Sequence, residues 1–210
     1  MIHNSSSRMF VSLILLKFLS VFTLNSAMIK PEHKVNVSLF YETYCPYSQQ
    51  FLKKRLYPTY VAVGEIMNIE LVPYGNANHH ELKNGTIQFK CQHRRHECVA
   101  NMIHACAINL VKDMKSIMPF VNCVESQDDP ASSAKLCCEK VGIDFDQIDR
   151  CYNSEQGQEF LLAQALKTDK FKNEINNNGV PFIIVDSKFD NDTQERAQYH
   201  LQSLVCELYK

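Results

Sequence analysis

Nine cysteines in a chain of 210 residues constrain this protein more than any other feature of its sequence. The number is odd, so any set of bridges within the chain leaves at least one thiol over. Such a density belongs to an oxidising compartment, where disulfides persist. The N-terminal stretch MIHNSSSRMFVSLILLKFLSVFTLNSAM agrees with this. It carries Arg8, an apolar run from Met9 to Leu24, and the small residues Ser26 and Ala27. That is the shape of a secretory signal peptide, cleaved near Ala27, so residues 1–27 are expected to be removed and residues 28–210 to form a single domain. Lys17 interrupts the apolar run, which argues against stable membrane insertion. Asn36, Asn84 and Asn191 each open an Asn-x-Ser/Thr triplet and are the expected glycosylation positions. The net charge of −1 supplies no field for nucleic acid, which is excluded as a partner.

The order of local patterns indicates an α/β fold. VNVSLFYE (35–42) alternates polar and apolar residues and reads as a strand. Phe51, Leu52, Leu56, Tyr60 and Val63 follow at helical spacing, with Pro58 expected to kink or break the helix. NIELVPYG (68–75) is a second strand, and strand–helix–strand implies a parallel pair joined by a crossover. Asn84-Gly85 marks a small hairpin. A helix is expected from Glu97 to about Met118, stopped by Pro119. Two or three more helices should follow, with Ser132 and Ser133 as caps and Gly142 as a stop. After a turn at Asn176–Gly179, PFIIV returns to strand chemistry. Ala197, Leu201, Leu204, Val205 and Leu208 then line one face of a closing helix. Strands at both ends thus flank a helical insertion at about 91–175.

The chemistry centres on YETYCPYSQQF (41–51), where Cys45 ends a strand and begins a helix. A thiol attacks a disulfide as its thiolate, and the unpaired N–H groups of a helix start favour an anion. Pro46 suits the first helical turn, since its missing N–H is not needed there. Thioredoxin-like oxidoreductases place their nucleophile at such a junction, beside a cis proline, and Pro181 in Gly179-Val180-Pro181-Phe182 is similarly located. The bland alternative makes Cys45 one end of a structural bridge. Ser48 occupies the position where a second redox cysteine would stand. Serine cannot resolve a mixed disulfide, although its hydroxyl can donate a hydrogen bond to the Cys45 thiolate. Release then requires an external thiol, or a second cysteine on the substrate.

Residues 91–106, CQHRRHECVANMIHAC, carry a second motif. Cys91, Gln92, His93, Glu97, Cys98, Asn101 and Cys106 match in register the signature Cys-Gln-His-Gly-x-x-Glu-Cys-x-x-Asn-x-x-x-x-Cys. With the preceding Cys45-Pro-Tyr-Ser48 site, the chain resembles the gamma-interferon-inducible lysosomal thiol reductase family from about Val35 to Cys206. The resemblance implies a thioredoxin-like fold with a helical, disulfide-rich insertion. It also implies a glycoprotein that reduces protein disulfides in endosomes, lysosomes or outside the cell. Two positions depart from the pattern: Ser48 replaces the second cysteine of the family's usual Cys-x-x-Cys, and Arg94 replaces the signature glycine.

Cys98 and Cys106 lie two turns apart on one helix, too distant to bond each other, so the signature reads as scaffolding. Setting Cys45 aside leaves Cys91, Cys98, Cys106, Cys123, Cys137, Cys138, Cys151 and Cys206, an even set that suits four structural bridges and one free thiol. Zinc on Cys91, His93, His96 and Cys98 is disfavoured by the spacing and the oxidising compartment, and no metal or other cofactor is expected beyond an external thiol reductant. Two function classes follow. One is a thiol–disulfide oxidoreductase with Cys45 as nucleophile, Ser48 and Pro181 beside it, and disulfide-containing proteins as substrates. The other is a catalytically weak or inactive secreted binding protein of the same fold, with host defence as one role for it.

Overall fold

Strand β1 (Val35–Tyr41) is the centre of a three-stranded sheet in the computed structural model, which describes residues 33–210. The signal-peptide reading at 1–27 lies outside the described residues. β1 pairs in parallel with β2 (Met67–Pro73) and antiparallel with β5 (Phe182–Val185). Its period-two pattern divides the apolar interior. Val35, Val37, Leu39 and Tyr41 face the main core, while Phe40 points the other way into a cluster with Val72, Phe182 and Ile184. Each such side chain, fully buried, contributes roughly 1.5–3 kcal/mol.

The crossover from β1 to β2 is helical throughout, so Pro58 does not break it. α1 (Pro46–Phe51) runs into a π-helical stretch, Leu52–Leu56, and then into α2 (Tyr57–Val63), with Pro58 in the first turn of α2. The wider π turn accommodates the proline ring. The carbonyl of Lys54, four residues before Pro58, accepts instead from Arg55 Nη1 at 3.1 Å.

Beyond β2 comes an antiparallel hairpin of β3 (Asn78–Glu81) and β4 (Ile87–Lys90), turned at Asn84-Gly85 with Gly85 at φ +82°. The helical block follows. α3 (Arg94–Val111) ends well before Pro119, which sits inside α4 (Met114–Glu125). The boundary is set by Lys112 in the left-handed region and by Asp113, whose carboxylate accepts from the Lys115 N–H. That start signal outweighs the proline as a boundary. α5 (Pro130–Val141) is capped by Asp129, which accepts from the Ser132 N–H and hydroxyl, so neither Ser132 nor Ser133 is the cap. Gly142 ends α5 as expected. α6 (Phe145–Tyr152), α7 (Glu155–Asp169) and α8 (Lys172–Asn178) complete the block, and of the turn expected at Asn176–Gly179, residues 176–178 form the last turn of α8 and Gly179 its C-cap. β5 then leads to α9 (Asn191–Leu208), which buries Ala197, Leu201, Leu204 and Val205.

Three disulfides staple the block. Cys106–Cys151 joins α3 to α6, Cys123–Cys137 joins α4 to α5, and Cys91–Cys98 ties the start of α3 to the segment before it. Closing loops with separations of 14 and 45 residues removes unfolded-chain entropy worth about 3–4 kcal/mol each. The expected fourth bridge is not formed. Cys138 and Cys206 are thiols, the first buried and the second exposed. Neighbouring cysteines point apart on a helix: Cys137 reaches α4 while Cys138 faces the core. Cys206 lies on the outer side of α9, whose inward positions are Leu204 and Val205. Among the described residues no helix is long and apolar enough to cross a membrane.

Candidate active site

Cys45 is the N-cap of α1, in extended conformation at φ −73° and ψ 117°, with Pro46 opening the helix. Its carbonyl accepts from the Gln49 N–H at 2.9 Å. Its sulfur forms no bridge and lies 4.0 Å from the carbonyl oxygen of Val180, the residue joined to Pro181 by a cis peptide bond. The fold thus brings the cysteine after β1 against the proline before β5, the two residues the sequence singled out at opposite ends of the chain. The thiol is mostly covered, with the residue 7% exposed.

Ser48 is fully buried, and its oxygen accepts a long hydrogen bond from the Glu42 N–H at 3.4 Å. Its oxygen thus braces the backbone of the turn before Cys45, and its O–H remains a donor.

That turn, Glu42-Thr43-Tyr44, is held by the signature helix. The Thr43 N–H donates to Asn101 Oδ1 at 3.0 Å, and the Thr43 hydroxyl donates to the same oxygen at 2.8 Å, within reach of the Glu97 carbonyl at 3.2 Å. Tyr44 takes the left-handed conformation at φ +64°; its hydroxyl donates to Asp129 and accepts from the Ala131 N–H, and its ring lies against His96. The Glu42 carboxylate accepts from the Asn76 N–H. Gly75, at φ +57°, leaves room for it, since a Cβ there would lie 2.3 Å from Glu42 Cγ. These holding residues were missed in the sequence, where the signature read as scaffolding. The available signal was spacing: His93, Glu97 and Asn101 stand four apart on one helical face.

Electrostatics at the turn follow from burial. Glu42 and Glu97 are both fully buried, and Glu42 Oε2 and Glu97 Oε1 make no hydrogen bond. Burial, reinforced by the charge of Glu97, pushes the Glu42 carboxyl up to about 7. Burial raises Glu97 as well, opposed by hydrogen bonds from His93. His93 Nδ1 touches the Glu97 carboxylate and lies 3.9 Å from Glu42 Oε2. The donor atoms of Glu42, His93 and Glu97 all fall within 4.8 Å of one another, a grouping that could hold a metal ion. The alternative zinc set is incompatible with the structure, because Cys91 and Cys98 are bonded to each other.

A second buried group lies deeper. The Tyr41 hydroxyl meets His104 Nδ1 at 2.9 Å, and His104 Nε2 is 3.8 Å from Glu125. Burial drops His104 to about 3, keeping the ring neutral, and pushes Glu125 up to about 8 against the pull of Lys53 and Gln49 on the helix after Cys45. The expected glycosylation positions differ in setting. Asn84 and Asn191 are exposed, at the hairpin turn and at the start of α9. Asn36 is half-buried in β1 and its amide nitrogen donates to Asp186 at 3.2 Å.

Comparison with known proteins matches this arrangement. The family model described as gamma interferon inducible lysosomal thiol reductase matches residues 36–141, which hold both Cys45 and the signature. The Carassius auratus gamma-interferon-inducible lysosomal thiol reductase is 36% identical over 181 residues, covering 84% of this chain and 69% of that protein. The Mus musculus protein of the same name is 34% identical over 182 residues, covering 86% and 70%. The solved structure of a thioredoxin-like oxidoreductase from Silicibacter pomeroyi DSS-3 superposes with a TM-score of 0.50 at 15% identity, over 80% of this chain and 86% of that one, so the fold is thioredoxin-like. A strand-to-helix cysteine beside a cis proline, a signature helix gripping its turn, and this degree of identity over most of the chain have one meaning: the chain belongs to the gamma interferon inducible lysosomal thiol reductase family.

Proposed function

We propose that this chain is a thiol–disulfide oxidoreductase that works through one sulfur, Cys45. The observation that carries the reading is the placement of that sulfur, unbridged at a helix start, 4.0 Å from the carbonyl of Val180 beside cis-Pro181. In the first step the Cys45 thiolate attacks one sulfur of a protein disulfide; a mixed disulfide forms and the other substrate sulfur leaves as a thiolate that takes up a proton. Ser48 offers no sulfur for an internal second step. A small external thiol therefore attacks the mixed disulfide, and a second one completes the cycle. Two external thiols become one disulfide while one substrate disulfide becomes two thiols. If the substrate's own second thiol attacks instead, Cys45 is released with no net electron transfer, which is isomerisation.

Disulfide-containing proteins are the substrates in this reading, and the small thiol is the only co-reactant. The names of the relatives, the cysteine content and the signal-like N-terminus support a place in the secretory pathway, either secreted or in the endosomal or lysosomal lumen. The test is reduction of a protein disulfide with and without added small thiol, comparing wild type with Cys45→Ser. Activity that requires both the thiol and Cys45 supports the reading. A second reading, a binding protein that keeps the fold without turnover, draws on Ser48, which offers no second sulfur. It expects Cys45→Ser to retain the biological effect.

A further inference from the structure

We infer that the cleft beside Cys45 receives an acidic polypeptide segment flanking the target disulfide, with Lys54 and Arg55 as the groups that read its charge. This rests on the oxidoreductase reading and adds a substrate class to it. The cleft has a volume of about 510 Å³, within the range of roughly 300–1,000 Å³ that small ligands or short peptide segments occupy. One wall is the helix after Cys45, with Tyr47, Lys54 and Arg55; another is Val180-Pro181; the third is α9, with Tyr199. Because the Val180 carbonyl lies 4.0 Å from the Cys45 sulfur, a chain resting in the cleft continues directly to the reacting atom.

The charge of the cleft is one-sided. Lys54 and Arg55 are exposed, and no carboxylate contributes to the lining. The chain as a whole carries −1, so this is a local excess. Neither Lys54 nor Arg55 has an ion pair among the described residues, so no carboxylate of the chain neutralises them. Of the run Lys53-Lys54-Arg55, Lys53 acts on buried Glu125, which leaves the next two cations to the cleft. Arg55 is also held in place. The π-helical stretch and Pro58 free the Lys54 carbonyl, Arg55 Nη1 donates to it, and the remaining guanidinium donors stay free for a carboxylate. A side chain already fixed loses less entropy on binding. Tyr47 and Tyr199, 72% and 58% exposed, supply amphipathic contact area on either side.

The test separates recognition from chemistry. Full-length Cys45→Ala protein is titrated with fluorescent, cysteine-free peptides whose residues are acidic, neutral or basic at matched positions, and binding is followed by anisotropy at low and high salt. Two cation–carboxylate contacts at an exposed site predict roughly five-fold tighter binding of the acidic peptide over the neutral one, lost at high salt. Lys54→Glu/Arg55→Glu should invert the order, and Lys54→Ala/Arg55→Ala should level it, with circular dichroism confirming the fold of both. Equal affinities, no binding of any peptide, or a preference that survives charge reversal would overturn the inference. Tighter binding of oxidised glutathione than of the acidic peptide would overturn the polypeptide assignment in favour of a small anionic disulfide. The Cys45→Ala protein carries no reacting sulfur at the site, and neither do the peptides. Acid preference without turnover therefore removes only the oxidoreductase reading, and turnover without acid preference removes only this inference.

Discussion

The Thr43 amide and the Asn101 side chain are joined by a 3.0 Å hydrogen bond that ties the turn before Cys45 to the signature helix. Both residues are fully buried, and the Thr43 hydroxyl donates to the same oxygen. One acceptor thus satisfies two donors that water cannot reach. Asn101→Ala leaves the Thr43 N–H unpaired, while the hydroxyl keeps the Glu97 carbonyl, and is expected to cost about 1–3 kcal/mol in urea unfolding. The rate of disulfide exchange should fall as well, since the turn sets the position of the sulfur. A double-mutant cycle with Thr43→Val should give a coupling of about 1 kcal/mol. Additive effects would mean that the contact carries no energy of its own.

Stability should fall as pH rises from about 5 to 8. Glu42 and Glu125 have carboxyls raised by burial to about 7 and about 8, so the folded chain holds protons that the unfolded chain has released. Their contribution is fully present below the ordinary carboxylate range and is lost as pH climbs through those raised values. His104 has the opposite sign, since its lowered value favours the fold as pH rises toward 6.5. Two glutamates outweigh one histidine below that point, and above it they act alone. Thermal melting across this range should show the decline, at roughly 2–4 °C per kcal/mol, and Glu42→Gln should flatten it. A melting temperature that rises toward pH 8 would contradict this assignment of protons.

Arg94, at the position of the signature glycine, has φ +71°. A side chain in the left-handed region costs about 1–2 kcal/mol, and glycine gives back part of that gain as unfolded-chain entropy. Arg94→Gly should therefore stabilise the protein by about 0.5–1 kcal/mol in chemical denaturation. A destabilising effect would show that the arginine side chain contributes more than its backbone costs.

Ser48→Cys should shorten the life of the mixed disulfide. With serine, the proposed complex between enzyme and substrate should wait for an external thiol and accumulate on non-reducing gels when that thiol is withheld. With cysteine three positions after Cys45, the complex should resolve internally and vanish. Equal accumulation in both proteins would place residue 48 outside reach of the sulfur.

The sheet and the Cys45 junction were legible because their signals are local: period-two alternation in β1, Pro73 and Gly75 closing β2, a proline at the first turn of α1, Asn-Gly in the hairpin. Pro119 misled because a proline removes a single N–H and the helix continues through it, whereas Pro58, read as a kink or a break, is met by a π-helical stretch. The capping aspartates Asp113 and Asp129 marked the true starts of α4 and α5. Counting cysteines established that one thiol must be left over, but which sulfurs meet is decided in space, and Cys138 and Cys206 face different surroundings. The grip of Glu97 and Asn101 on Thr43 joins segments more than fifty residues apart, so the helical face was readable and its partner was not.

The most direct test is to trap the enzyme on a protein disulfide without added thiol and map the linkage by mass spectrometry, alongside alkylation of the free protein. The account predicts that the cross-link runs through Cys45, that exposed Cys206 alkylates readily, and that buried Cys138, its thiol pushed up to about 12, reacts only after unfolding. Cys45 found bonded to Cys138 or Cys206 in the free protein, or a substrate cross-link carried by Cys206, would contradict it.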